Sequence, residues 1–497
     1  MSARRVIQFL TLTLFLLIRT AIADGVTKTE ETWDAVFLGN EKVGYVHTLT
    51  RPIEENGKTL VHVRTETVMS IKRFNQIVEM KLDYQSYETP EGQVVRMDNR
   101  GMDTHTIGVV EGNLMRLTME TPGKRSTQSI PWGSDILGPG TESRMFKKKP
   151  LGMGEKRSNR TFLPDLNQVV TNNYFGEETE QVKMHDGSDR TLKRIRSEIE
   201  GVPALKNIKT FMWVDETGES IKTYTSLLAG MTTYRVSKEV ATAPSVAFSS
   251  DFGEKTLIKV ATKVPRPFDT TEIVYKLSLR DEDPEEVFPC DGRQSLAKAD
   301  DGSWLLTIRA VDPTEPVKDP VKVEMDEFLR PNNWLQTDHP KVVQATKSAV
   351  GDATDPWEKA RRIERWVYEN VTEKNFSKVF DSAGVVADKL EGDCTEHGVL
   401  LAAMARVAGI PSRVAVGLVF ADRLGAFGYH MWAEVYMNGR WVPLDGTLGL
   451  GHASPAHIKL ADSSLEGVDA MAAFLPVVRV MDRLKIEPVS WKYRAKE

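Results

Sequence analysis

Three side chains between Leu390 and Thr447 could together perform nucleophilic chemistry: Cys394, His430 and Asp445. A cysteine attacks as its thiolate. An imidazole moves the proton, and a carboxylate holds that imidazole in one tautomer and stabilises its charged form. Cys394 stands in Gly392-Asp393-Cys394-Thr395-Glu396, which reads as a helix start with Asp393 as N-cap and Glu396 closing a capping box. The thiol is then expected in the first helical turn, where the positive end of the helix dipole favours thiolate over thiol. Asp393 opposes that effect in part. Leu400, Leu401, Met404 and Val407 form the buried stripe of this helix, and Gly409 and Pro411 end it.

The other two members must be brought together by strands. Arg413 to Phe420 reads as one strand, and a Gly-containing loop leads to Tyr429-His430-Met431-Trp432-Ala433-Glu434-Val435-Tyr436. Asn438-Gly439 signals a two-residue hairpin turn, with Arg440 to Asp445 returning. If Met437 faces Arg440, then Trp432 faces Asp445 and His430 faces Thr447. His430 and Asp445 become diagonal neighbours on one face, within side-chain reach. A turn longer by one residue would put them on opposite faces. Upstream, Asp355-Pro356-Trp357-Glu358 begins another helix whose apolar face is Ala360, Ile363, Val367 and Val371.

Gly392-Asp393-Cys394, Ala408-Gly409-Ile410-Pro411-Ser412-Arg413, His430-Met431-Trp432-Ala433-Glu434-Val435 and Trp441-Val442-Pro443-Leu444-Asp445-Gly446-Thr447 resemble the transglutaminase-like superfamily in order and approximate spacing. The resemblance spans roughly Phe328 to Leu460. It implies a papain-like fold, with Cys394 as nucleophile, His430 as base and then acid, and Asp445 as the orienting group. The implied reaction is acyl transfer through a thioester, with the Cys394 N–H as first oxyanion donor. No Gln among Asp388, Lys389 and Leu390 supplies the second donor; Trp357 and Trp366 are upstream indole donors without an assigned place.

Other pairings compete for the same residues. The chain has two cysteines, and in an exported protein Cys290 and Cys394 could form a bridge that would consume the nucleophile. His397, on the nucleophile's own helix, is a decoy base that reads better as structural, as do His452 and His457 in a loop. A zinc site would be accompanied by C-x-x-C or H-x-x-x-H, and neither is present here. No cofactor and no metal are expected.

The remaining residues set the frame. The 497 residues exceed one compact core and suggest about three domains at roughly 150 residues each. With 40% hydrophobic and 27% charged residues, neither disorder nor a polytopic membrane protein fits. A formal charge of -5 gives no reason to expect nucleic acid as a partner. Arg4 and Arg5, the apolar run Val6 to Ile18 and Ala21-Ile22-Ala23 read as a cleavable signal peptide over residues 1–23, hence a periplasmic or extracellular protein; a retained signal anchor is the alternative.

The expected fold is multidomain α+β. Residues 24–250 read as an antiparallel curved β-sheet or half-barrel, with a first hairpin turning at Gly39-Asn40. By strand pattern this segment resembles the curved half-barrels of bacterial periplasmic lipid and lipoprotein carriers. Residues 251–325 read as a small middle β-sandwich, with strands at Leu257 to Thr262, Thr271 to Leu279 and Ser303 to Ala310. By the resemblance, residues 326–497 are expected to form the transglutaminase-like catalytic domain. Lys147-Lys148-Lys149 reads as a solvated loop.

Two functions follow. One is an exported cysteine protease, amidase or acyltransferase acting on a protein or peptide amide, with hydrolysis favoured because water surrounds the acyl-enzyme. The other is a non-catalytic cell-envelope binding or scaffold protein whose β-rich half does the work.

Overall fold

The computed structural model describes residues 26–493 apart from 27, 74–75, 102, 227–229, 245–250, 318–319, 321, 373–379, 453, 468–471 and 473. The expected signal peptide, residues 1–23, lies outside the described residues. Two compact units are present, one formed from Phe252 onward and one from most of the residues before it.

The N-terminal unit is a single large curved sheet of fifteen strands. Alternating short runs and turn residues produce it, as in the hairpin Glu30–Leu38 and Glu41–Glu55, where Gly39 supplies the left-handed backbone (φ +59°) of the turn. Glu30–Leu38 also pairs with Met231–Val236, so the strand nearest the start lies mid-sheet. The sheet curls far enough for Leu137, on the last strand in the order, to bridge Gln93. Register places Thr48, Thr65, Thr67, Tyr84 and Asn99 on one buried face. One helix not anticipated from the strand pattern, Pro139–Lys148, starts with Pro at N1 and ends in Lys147 and Lys148. The basic run therefore closes a helix, and Lys147 pairs with Glu219 rather than standing free in a loop.

In the C-terminal unit, the segment expected to form a sandwich instead makes one four-stranded antiparallel sheet. Its order is Gln294–Lys298, Trp304–Arg309, Thr270–Leu279 and Leu484–Tyr493. The fourth strand comes from far along the chain, which local pattern could not show. Ile258–Lys259, expected in the same sandwich, belongs to a different sheet.

That other sheet carries the candidate site. It contains β1 (Ser412–Ala421), β2 (Ala426–Met437), β3 (Arg440–Leu444) and β4 (His457–Ser463), with Ile258–Lys259 beside the start of β2. Helices α1 (Pro340–Val350), α2 (Pro356–Asn370), α3 (Ala383–Lys389) and α4 (Cys394–Val407) precede it in the chain. Asp355 caps α2 by accepting the Glu358 N–H at 2.8 Å, while the Glu358 carboxylate pairs with Arg362 instead of closing the box. Ala360, Ile363, Val367 and Val371 are buried as their spacing demands.

β1 and β4 approach closely at a bulge between Val416 and Gly417. A Cβ on Gly417 would lie 1.8 Å from the Ile458 carbonyl oxygen and 3.0 Å from Lys459 Cα. Backbone cannot yield as a flexible side chain does. We expect Gly417→Ala to destabilise the chain by about 3 kcal/mol, read as a lower urea midpoint at unchanged slope. An unchanged midpoint would mean that β4 is free to move away.

Candidate active site

The thiol is placed by two independent devices. At the start of α4, Asp393 accepts the Thr395 N–H at 3.0 Å and Glu396 accepts the Asp393 N–H at 3.0 Å, which completes the capping box. Gly392 makes this possible, since with φ at +150° a Cβ there would lie 2.4 Å from Glu396 Cβ. The second device is a gap in the sheet. On its outer side β2 pairs with Ile258–Lys259 at Ala426 and Phe427, and with β3 only from Ala433 to Met437. Cys394 fills the interval: the Met431 N–H donates to its Sγ at 3.3 Å. A helix N-terminus and a sheet-edge amide thus both face the sulfur, and both favour its anion.

The two-residue turn forms as its sequence requires, with Asn438 (φ +47°) and Gly439 (φ +88°) both left-handed. Met437 pairs with Arg440 and Ala433 with Leu444. Asp445 follows directly, and the His430 Nε2–H donates to its Oδ2 at 2.7 Å. His430 Nδ1 has no nitrogen or oxygen partner among the described residues, so it is the ring nitrogen left for the sulfur. Asp445 Oδ1 accepts the N–H groups of Thr447 at 2.8 Å and Leu448 at 3.3 Å. Cys394, His430 and Asp445 are all buried, the thiol at 1% exposure.

The charges follow from this arrangement. Burial disfavours protonation of His430, but the Asp445 carboxylate and the Cys394 sulfur outweigh it and push the imidazole up to about 9. Burial also works against the Asp445 anion, yet the neighbouring imidazoles hold its carboxyl well below the usual carboxylate range. The geometry therefore suits a thiolate beside an imidazolium.

Two residues missing from the sequence-based list belong to the site. His457, at the start of β4, donates its Nε2–H to Asp445 Oδ2 at 2.9 Å, the same oxygen that serves His430. Glu364, on α2, accepts the Asp445 N–H at 3.1 Å. Burial, with the Asp445 charge adding to it, pushes the Glu364 carboxyl up to about 8. A carboxylate inside an apolar stripe was the available signal for Glu364. His457 offered none beyond being a histidine.

The competing residues are engaged elsewhere. Both ring nitrogens of His397 face carbonyl oxygens, those of Asp393 and Val371. His452 lies between the Leu450 and Phe268 carbonyls. Cys290 is exposed and Cys394 buried, and no disulfide joins them. Trp357 lines a cleft of about 740 Å³ whose walls do not include Cys394. Trp432, which faces the Asp445 end of the hairpin, has a buried indole N–H without an acceptor among the described residues. His430, Asp445 and His457 bring three donor atoms within 4.8 Å of one another, a set that could hold a cation. Separations of 2.7 and 2.9 Å to one shared oxygen are hydrogen-bond lengths and account for the cluster.

Residues 343–446 match the family model of the transglutaminase-like superfamily. An uncharacterised protein of Haemophilus influenzae is 28% identical over 190 residues, covering 33% of this chain and 50% of that protein. The chain thus spans about half the length of that curated relative. Among solved structures, a proposed cysteine protease of Cytophaga hutchinsonii aligns at 17% identity over 46% of this chain and 90% of its own, with a TM-score of 0.28. The periplasmic domain of TgpA from Pseudomonas aeruginosa, bound to ethylmercury, aligns at 10% identity over 39% of this chain and 89% of its own, with a TM-score of 0.24. Residues 343–446, which contain Cys394, His430 and Asp445, are a transglutaminase-like core.

Proposed function

We propose that the protein is an exported cysteine enzyme that cleaves or transfers acyl groups at amide or peptide bonds through a Cys394 thioester. One observation carries this reading: a sulfur at a helix start, met by the Met431 N–H at 3.3 Å, sits beside a His430 that is itself fixed to Asp445 at 2.7 Å. Cys394 Sγ attacks the carbonyl carbon and forms the C–S bond. The C–N bond then breaks, with the His430 proton passing to the departing amine. In hydrolysis His430 takes a proton from water, whose oxygen displaces the sulfur and releases a carboxylic acid. The Cys394 N–H stabilises the developing oxyanion.

Periplasmic or extracellular placement is part of the proposal and rests on residues 1–23. Among the described residues no helix is long and apolar enough to cross a membrane. The curved sheet is proposed to engage a cell-envelope partner or the substrate protein.

A thiol-directed probe tests the reading. Because Cys290 is exposed and free, the experiment uses Cys290→Ser chain. Labelling should map to Cys394, persist with little slope from pH 6 to 8, be slowed by amide substrates and vanish in Cys394→Ala. Labelling of Cys394 only after unfolding would select the non-catalytic scaffold instead.

A further inference from the structure

We infer that His457 is a positioning residue that holds Asp445 ionised and aimed at His430, so that the working unit is Cys394–His430–Asp445–His457. The inference rests on the triad reading above and extends it.

A carboxylate has about four lone-pair sites. In Asp445 all four are taken: Oδ1 by the Thr447 and Leu448 N–H groups, Oδ2 by His430 at 2.7 Å and His457 at 2.9 Å. His457 fills the last site and restricts rotation about the carboxylate bond. Its own ring is buried and its Nδ1 has no hydrogen bond among the described residues, so the proton the contact requires sits on Nε2. A neutral ring is then the Nε2–H tautomer. A neutral donor fixes the carboxylate without cancelling the negative charge on which the His430 cation depends.

The surroundings favour the uncharged ring. His457 is flanked by the rings of Trp432 and Phe268, with centroids at 5.4 and 6.2 Å, and by the His430 ring at 5.9 Å. Burial opposes its protonation, as do the charges of His430 and Arg293, and Asp445 favours it only in part. The charged or titratable groups facing this cluster are therefore Asp445, His430, Arg293, Cys394 on α4 and Glu364 on α2.

Its backbone is held as well. The buried Arg293 donates to the carbonyls of Ser454 at 2.6 Å and His457 at 2.8 Å. Gln294 exchanges two bonds with Lys459, at 2.9 and 3.0 Å. Two successive residues thus hook β4 from the four-stranded sheet at the point where His457 enters the site.

Two measurements on the full chain test the assignment. With ¹⁵N-labelled histidines, NMR should show His457 as the neutral Nε2–H tautomer from pH 6.5 to 8.5, in Cys394→Ala chain as well. In the Cys290→Ser background, His457→Leu should move the acid limb of Cys394 alkylation upward by about one pH unit, a tenfold loss of rate on that limb. Loss of a donor to Asp445 makes its carboxylate easier to protonate. His457→Gln, which keeps a donor at the same reach, should restore most of the rate. A cationic or Nδ1–H His457, or a Leu variant that folds normally and superimposes on the parent profile, would overturn the assignment. If Cys394 resists alkylation in the parent chain, the enzyme reading fails, and the tautomer measurement still decides the role of His457.

Discussion

In the Cys290→Ser background, His430→Ala should slow alkylation of Cys394 by about 100-fold at pH 6 while changing it little at pH 9. The reason is the origin of the thiolate. An ordinary thiol ionises near 8.5, so without a cationic partner its anion falls about tenfold for each pH step below that value. With His430 pushed up to about 9, the proposed ion pair would hold the sulfur as its anion where an ordinary thiol is protonated. The parent profile should be flat where the variant slopes. Turnover of any amide substrate should fall further, by about 10²–10⁴, because the leaving amine also loses its proton donor. Equal slopes in the two proteins would show that the helix start and the Met431 amide sustain the thiolate by themselves.

Glu364→Gln should make the protein more stable in alkaline solution, on the order of 4 kcal/mol at pH 9. Glu364 is buried beside an anion and its carboxyl is raised from 4.5 to about 8. Between those values the folded chain retains a proton that the unfolded chain has released, so stability falls as pH rises. The contribution is complete below about 4.5 and lost as pH passes about 8. Glutamine keeps an acceptor for the Asp445 N–H and cannot ionise. Urea midpoints from pH 4 to 9 should therefore converge at the acid end and separate progressively toward the alkaline end. Parallel curves would mean that Glu364 ionises freely in the folded chain.

The site's legibility in the sequence depended on the range of the interactions involved. Asp393, Glu396 and the Asn438-Gly439 turn act over a few residues, and each does locally what its side chain or backbone requires. The turn then propagates: a two-residue loop fixes pairing along the hairpin, and the His430–Asp445 contact follows from counting. His457 is different. It reaches Asp445 where β4 bulges at Leu460 opposite Val416 and Gly417 and where Arg293 and Gln294 hold β4, and neither feature is visible in the residues around it. The middle sandwich failed for the same reason, since the partner of Thr270–Leu279 lies at Leu484–Tyr493. In the N-terminal sheet, alternation showed strands but concealed the helix Pro139–Lys148 and the mid-sheet position of the first strand. Glu364 was hidden by the assumption that a carboxylate on an amphipathic helix faces water.

The pairing of Thr270–Leu279 with Leu484–Tyr493 also imposes an order in time. A chain is synthesised from its N-terminus, and the sheet whose adjoining residues Arg293 and Gln294 brace β4 lacks its edge strand until residue 493 has emerged. Cys394, His430 and Asp445 would all be made well before that support is finished. On the proposed function, the nucleophile would reach its final setting only once Leu484–Tyr493 has joined its sheet.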